Sequence, residues 1–158
     1  LFEQTIAPGG LVYAPLTFDG ETILLPEHPA DERIVEAFHA DIDATSGRDS
    51  RAGRHLLNRL RKRGSQIEAV SASDWIVRPG PDGQYRADEQ YFLECILAFI
   101  AGAETVMDIE GADAWIETRT RQLAAWELTY VAHGYDLLWR PRAGATAQSG
   151  RTDGEIER

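Results

Sequence analysis

The chain has 158 residues, with 16 basic and 26 acidic side chains and a formal charge of −10. That length fits one domain with a real core. The acidic balance excludes a general binder of nucleic acid or anionic membrane, which needs a net positive face. One cysteine, Cys95, leaves no intrachain disulfide and no zinc site built on several thiolates.

The longest apolar stretch, around residues 96–103, is too short to span a bilayer. No secretory leader is read, and a reducing cytoplasm is the expected compartment. Residue 1 is Leu and the single methionine is Met107, so the chain reads as the C-terminal portion of something longer.

Residues 1–6 read as the end of a helix, and Pro8-Gly9-Gly10 as a turn. Residues 11–18 (LVYAPLTF) are apolar, with β-branched and aromatic members, and are bounded by glycines. They predict a strand buried on both faces, with regular pairing ending near Pro15. Residues 21–30, with Pro26, His28 and Pro29, read as an extended loop. Asp31 opens a helix as N-cap or first-turn acid, and Ile34, Val35, Phe38 and Ile42 follow at helical spacing. After a polar break over 46–50, a second helix over 51–63 carries Leu56, Leu57 and Leu60, and Gly64 caps it.

Residues 67–77 (IEAVSASDWIV) predict a second strand with an unusually polar centre, and 78–83 a loop. A helix over 88–103 puts Phe92, Leu93, Ile96, Leu97 and Ile100 on one side. Gly111 separates it from a helix over 112–130 with Trp115, Ile116, Leu123 and Trp126. A short last strand is read at 136–139 (DLLW), closed by Pro141, and the 142–158 tail reads as disordered. The order is strand, two helices, strand, two helices, strand. The class is α/β, with right-handed helical crossovers onto a single mainly parallel sheet.

Pro8-Gly9-Gly10-Leu-Val-Tyr-Ala-Pro resembles the entry to the fifth strand of a class I S-adenosylmethionine-dependent methyltransferase. The segments TFDG (17–20), HPADERIVEAFHADID (28–43), GRHLL (53–57), SDWIVRP (73–79) and ELTYVAHGYDLLWRP (127–141) are similar to one uncharacterised bacterial branch of that family, in the same order. The resemblance covers residues 1–141. It implies a Rossmann-like seven-stranded sheet whose last strand runs antiparallel to the others. This chain would hold strands five to seven: 11–16, 67–77 and a segment within 128–139. It also implies in-line methyl transfer, with this chain on the acceptor side. The family's Gly-rich turn after the first strand and the acid ending the second are missing here, so S-adenosylmethionine would be held mainly by residues outside this chain.

Three groups of residues are candidates for a site. Thr17, Phe18 and Asp19 precede Gly20 at the expected strand end, where open α/β sheets bind ligands, and would line an acceptor pocket. The alternative is an ordinary Asp-Gly turn. His39 and Asp43 are one helical turn apart, as a base and its orienting carboxylate would be, or as a solvated helix-end pair. No third ligand completes a metal site with them. Ser73, Asp74 and Trp75 interrupt an apolar strand, either as a carboxylate with an aromatic wall or as a surface bulge.

His39, Asp74 and Asp19 are thus the candidate bases, and Thr17, Phe18, Asp43, Ser73 and Trp75 the candidate substrate contacts. His133 and Asp136 fall near the pocket mouth or satisfy one another's surroundings at a helix-to-strand junction. Arg48, Arg51, Arg54, Arg59, Arg61, Lys62 and Arg63 form a basic cluster, read as a solvated helix face or an anion contact. Cys95 reads as a buried, inert thiol. The expected function is methyl transfer to an unknown acceptor, a small molecule rather than nucleic acid or membrane. The alternative is a non-catalytic α/β interaction module, or a degenerate methyltransferase relative, associating through an exposed sheet edge.

Overall fold

The computed structural model describes residues 6–141, apart from Pro8 and Ser46. The readings for residues 1–5 and for the 142–158 tail lie outside the described residues. The elements in chain order are β1 (Val12–Leu25), α1 (Asp31–Ala44), α2 (Ala52–Lys62), β2 (Gln66–Val77), α3 (Ala87–Ala101), α4 (Glu104–Met107), α5 (Ala112–Ala124) and β3 (Thr129–Arg140). The protein is a mixed α/β domain.

Its three strands form one open sheet in the order β1-β3-β2. β3 is antiparallel to both neighbours, so β1 and β2 run in the same direction on either side of it. Val12 pairs with Trp139, Ala14 with Leu137 and Ala69 with Leu138, all within this sheet. The expected mainly parallel pairing is corrected: both ladders among the described residues are antiparallel. Residue pattern fixes which face a strand buries, but not the direction of the strand beside it.

Two strands are longer than the sequence suggests. β1 does not end near Pro15 but continues to Leu25, taking in most of the expected 21–30 loop. Its ladder to β3 is irregular at two places, between Ala14 and Thr17 and between Phe18 and Thr22. Pro15 and Leu16, the latter at φ 47, occupy the first irregularity, so proline interrupts the pairing and the strand then resumes. β1 is also not buried on both faces: Leu11 just before it, Tyr13, Leu16 and Ile23 are exposed.

β3 starts at Thr129 rather than near residue 136, because α5 stops at Ala124 and Trp126, at φ 61, turns the chain back. The run from Thr129 to Gly134 mixes β-branched, aromatic, polar and glycine residues. It carries no clean alternation, although it supplies the middle strand.

The pleat divides the sheet into two differently covered faces. One face presents Leu24, Val77 and Tyr130 to the main core, with Ile34 and Phe38 of α1, Leu93, Leu97 and Ile100 of α3, Val106 of α4, and Trp115 and Leu123 of α5. On the other face, α2 packs Leu60 on Leu137 and Trp139, with Leu56, Leu57, Val12, Ala14 and Tyr135 around them. The N-terminus of α2 approaches closely because residue 53 is glycine. A Cβ there would lie 2.7 Å from Tyr135 and 2.8 Å from the Thr17 carbonyl oxygen.

Candidate functional site

On the helix-covered face an open, mainly apolar groove of about 230 Å³ lies where the two irregularities push β1 outward. Leu16 and Phe18 of β1, Trp75 of β2, Tyr130, Ala132 and Gly134 of β3, and Phe92 and Ile96 of α3 line it, together with His133. The aromatic wall is continuous: the Trp75 and Phe92 rings are 4.1 Å apart at their centroids, and Phe92 meets Tyr130 at 5.4 Å. Trp75 keeps 43% of its surface exposed there. Glycine at 134 permits the close approach of β1, since a Cβ would lie 3.2 Å from both the Leu16 carbonyl carbon and the Thr17 oxygen.

Asp136 lies beside the groove, bound to the backbone of the lining residue Leu16. Its carboxylate accepts a hydrogen bond from the Leu16 amide at 2.9 Å and another from the Ser73 hydroxyl. The Ser73 hydroxyl first, and then the Leu16 amide, hold the Asp136 carboxyl below its ordinary range, so it is ionised at neutral pH.

At the second irregularity Phe18 pairs with Gly134 and Thr22 with Ala132, so Asp19, Gly20 and Glu21 bulge opposite His133. His133 borders the groove at this gap, while its Nδ1 lies 2.7 Å from Oδ1 of Asp74, its partner across β2. With Nδ1 on the carboxylate, Nε2 is left to accept a proton.

Asp19 sits in the same bulge and is fully buried, at 0% exposure. It accepts the Arg54 backbone N–H at 2.8 Å and Arg54 Nε at 3.0 Å. α2 has no capping side chain of its own, so Asp19 caps it from another element. Burial alone would raise the Asp19 carboxyl, but the side-chain and backbone bonds from Arg54 outweigh it and hold the carboxyl below its ordinary value.

The structure therefore brings some of the expected residues together and separates others. Phe18 and Trp75 share the groove, and Ser73 joins it through Asp136. Asp74 lies on the opposite face, against His133. Thr17 reaches only the Ala14 carbonyl oxygen, at 3.5 Å. TFDG does not end a strand but forms the middle of β1, because pairing resumes at Thr22.

His39 touches the Phe18 ring at 5.7 Å, and its Nε2 is buried with no partner. Desolvation depresses its pKa. Its expected partner Asp43 instead holds the loop before α2, accepting from Ser50 N at 2.7 Å and Ser50 Oγ at 2.9 Å.

The basic cluster is partly paired, Arg54 with Asp19, and Arg59 with Asp49 beside His55. Cys95 is exposed rather than buried, because it lies off the Leu93–Leu97–Ile100 stripe of α3. His133 and Asp136 prove more central than their sequence neighbourhood suggested. The available signal for Asp136 was its period-2 spacing from Gly134 inside a strand, which the short reading of β3 concealed.

No three His, Cys, Asp or Glu side chains among the described residues gather as a metal site. No helix among them is long and apolar enough to cross a membrane. No protein-family model and no curated protein matches the chain.

Proposed function

We propose that this chain supplies the acceptor side of an S-adenosylmethionine-dependent methyltransferase domain, with β1, β2 and β3 as its fifth, sixth and seventh strands. The observation that carries this reading is the direction of β3, reversed against two strands that run parallel to each other. That is the relation expected of the last strand of such a sheet. The aromatic groove on the helix-covered face is the natural place for an acceptor.

The described residues do not fit the cofactor itself. The groove lining is apolar, and no Gly-rich turn after a strand offers a row of amides to a carboxylate. This chain's part is then to hold the acceptor against Trp75 and Phe92 and to exclude water from it. Asp74 and His133 pair on the opposite face of the sheet, and Asp19 serves as the anchor of α2.

Ultraviolet cross-linking of methyl-labelled S-adenosylmethionine to the full-length gene product tests the reading. Label that S-adenosylhomocysteine displaces supports it, and a protein that stays unlabelled at saturating cofactor removes it.

A second reading is favoured by a different observation. Tyr13 is 60% and Leu16 55% exposed on β1, and Ile76 is 52% exposed beside Val131 and Ile23 on the uncovered part of the α2 face. Such a surface suits a non-catalytic interaction module. An unlabelled protein that co-purifies in a stoichiometric complex would favour this reading.

A further inference from the structure

We propose that the groove binds a small arylalkyl amine as its cation, with the ring against Trp75 and Phe92 and the ammonium at Asp136. As an acceptor site this rests on the methyltransferase reading, whereas as a binding site it stands on the groove alone.

The groove offers an aromatic wall, and a single fixed carboxylate, Asp136, lies next to its lining on the Leu16 amide. Ligand sites commonly combine an apolar lining with a few placed polar groups in this way. The two partners of Asp136, the Leu16 amide and the Ser73 hydroxyl, are both neutral donors. They orient the carboxylate without cancelling its charge, so the charge stays available to a cation in the neighbouring groove.

The spacing selects the ligand's length. Ser73, whose hydroxyl holds the Asp136 carboxylate, precedes Trp75 by two residues on one face of β2, which places the carboxylate ~7 Å from the tryptophan along the strand. A two-carbon linker between ring and nitrogen covers that span. A volume of about 230 Å³ admits one or two fused rings and excludes larger ligands.

Electrostatics selects the sign. An ammonium gains from the aromatic faces as well as from the carboxylate, and the chain's formal charge of −10 draws cations and repels anions. A carboxylate-bearing analogue of the same shape would meet Asp136 head on.

The test is calorimetric titration of the chain with 2-phenylethylamine, its neutral isostere 2-phenylethanol and the anion 3-phenylpropionate. The amine is expected to bind about tenfold or more tightly than the alcohol, and the propionate not at all. In Asp136→Asn, which keeps an acceptor for the Leu16 amide, the amine should fall to the level of the alcohol while the alcohol's own affinity is unchanged. Trp75→Ala should weaken both amine and alcohol. Unchanged alcohol binding and an unchanged melting curve show that Asp136→Asn remains folded.

Equal binding of amine and alcohol by the wild-type chain overturns the proposal. So does an amine preference that survives Asp136→Asn, or no binding of any of the three. Because no cofactor is present, failure here leaves the methyltransferase reading to its own test. Amine binding by a protein that does not take the cofactor keeps the site and discards that reading.

Discussion

Asp74 and Trp75 are neighbours in the chain and lie on opposite faces of the sheet. Trp75 stacks on Phe92 of α3 at 4.1 Å, while Asp74 reaches His133 at 2.7 Å on the other side of the pleat. The division of labour follows from the two-residue period of a strand. The tryptophan builds the groove wall, and the aspartate pairs with His133 on the α2 side, opposite the bulge of β1.

The approach of α2 to the sheet depends on Gly53. Alanine ordinarily stabilises a helix over glycine by ~1 kcal/mol. Here the added methyl would lie 2.7 Å from Tyr135 and 2.8 Å from a backbone oxygen. Gly53→Ala should therefore destabilise the chain by about 1–3 kcal/mol, read as a lower urea midpoint with an unchanged m-value.

Asp19 ties β1 to the start of α2. Asp19→Asn loses the charge-assisted bonds to Arg54 and should cost about 1–3 kcal/mol at neutral pH. The Asp19 carboxyl is held below its ordinary 3.8, so its stabilising effect is complete above that value and disappears as pH falls through the folded value. Melting curves of wild type and variant should be well separated at pH 7 and converge in acid.

His39 acts in the opposite part of the pH range. Burial lowers its pKa from 6.5, against the charges of Asp43, Glu21 and Glu36 that favour protonation and with Arg51 opposing it. The unfolded chain therefore takes up a proton first as pH falls. Stability should be full above 6.5 and decline as pH drops from there through the folded value. His39→Phe should flatten this decline in melting temperature between about pH 7 and 5.

Arg119 is a buried hub. It pairs with Asp31 at the start of α1, donates to the Pro26 carbonyl oxygen at 2.6 Å, and shares Asp31 with Trp115 Nε1. Removing only the cation leaves the carboxylate poorly compensated, and Arg119→Ala should cost about 3–5 kcal/mol. The double change Arg119→Met with Asp31→Asn should recover much of that loss, as measured by equilibrium unfolding.

The helices were the readable part of the sequence. Ile34 and Phe38, Leu60, and Leu93 with Leu97 and Ile100 fall at helical spacing and are buried where that spacing puts them. The strands were harder to bound. Pro15 and the Asp19-Gly20 pair are turn signals that β1 absorbs as irregularities, because the ladder to β3 supplies pairing on both sides of each. The polar Asp136 and the glycine at 134 hid the length of β3, yet both are required where β1 kinks against it.

Of the candidate site residues, Phe18 and Trp75 line one groove, and Ser73 lies beside it on Asp136. The roles of Asp19 and Asp43 depend on partners 35 and 7 residues away, Arg54 and Ser50. Spacing along a single element could not reveal either pairing.

The most direct measurement is calorimetric titration of S-adenosylmethionine into the full-length gene product and, separately, into residues 1–158. Saturable heat from the full-length protein and none from the isolated chain is the predicted outcome. A silent full-length protein at millimolar cofactor, or clear binding by residues 1–158 alone, would contradict the assignment of these three strands to the acceptor side.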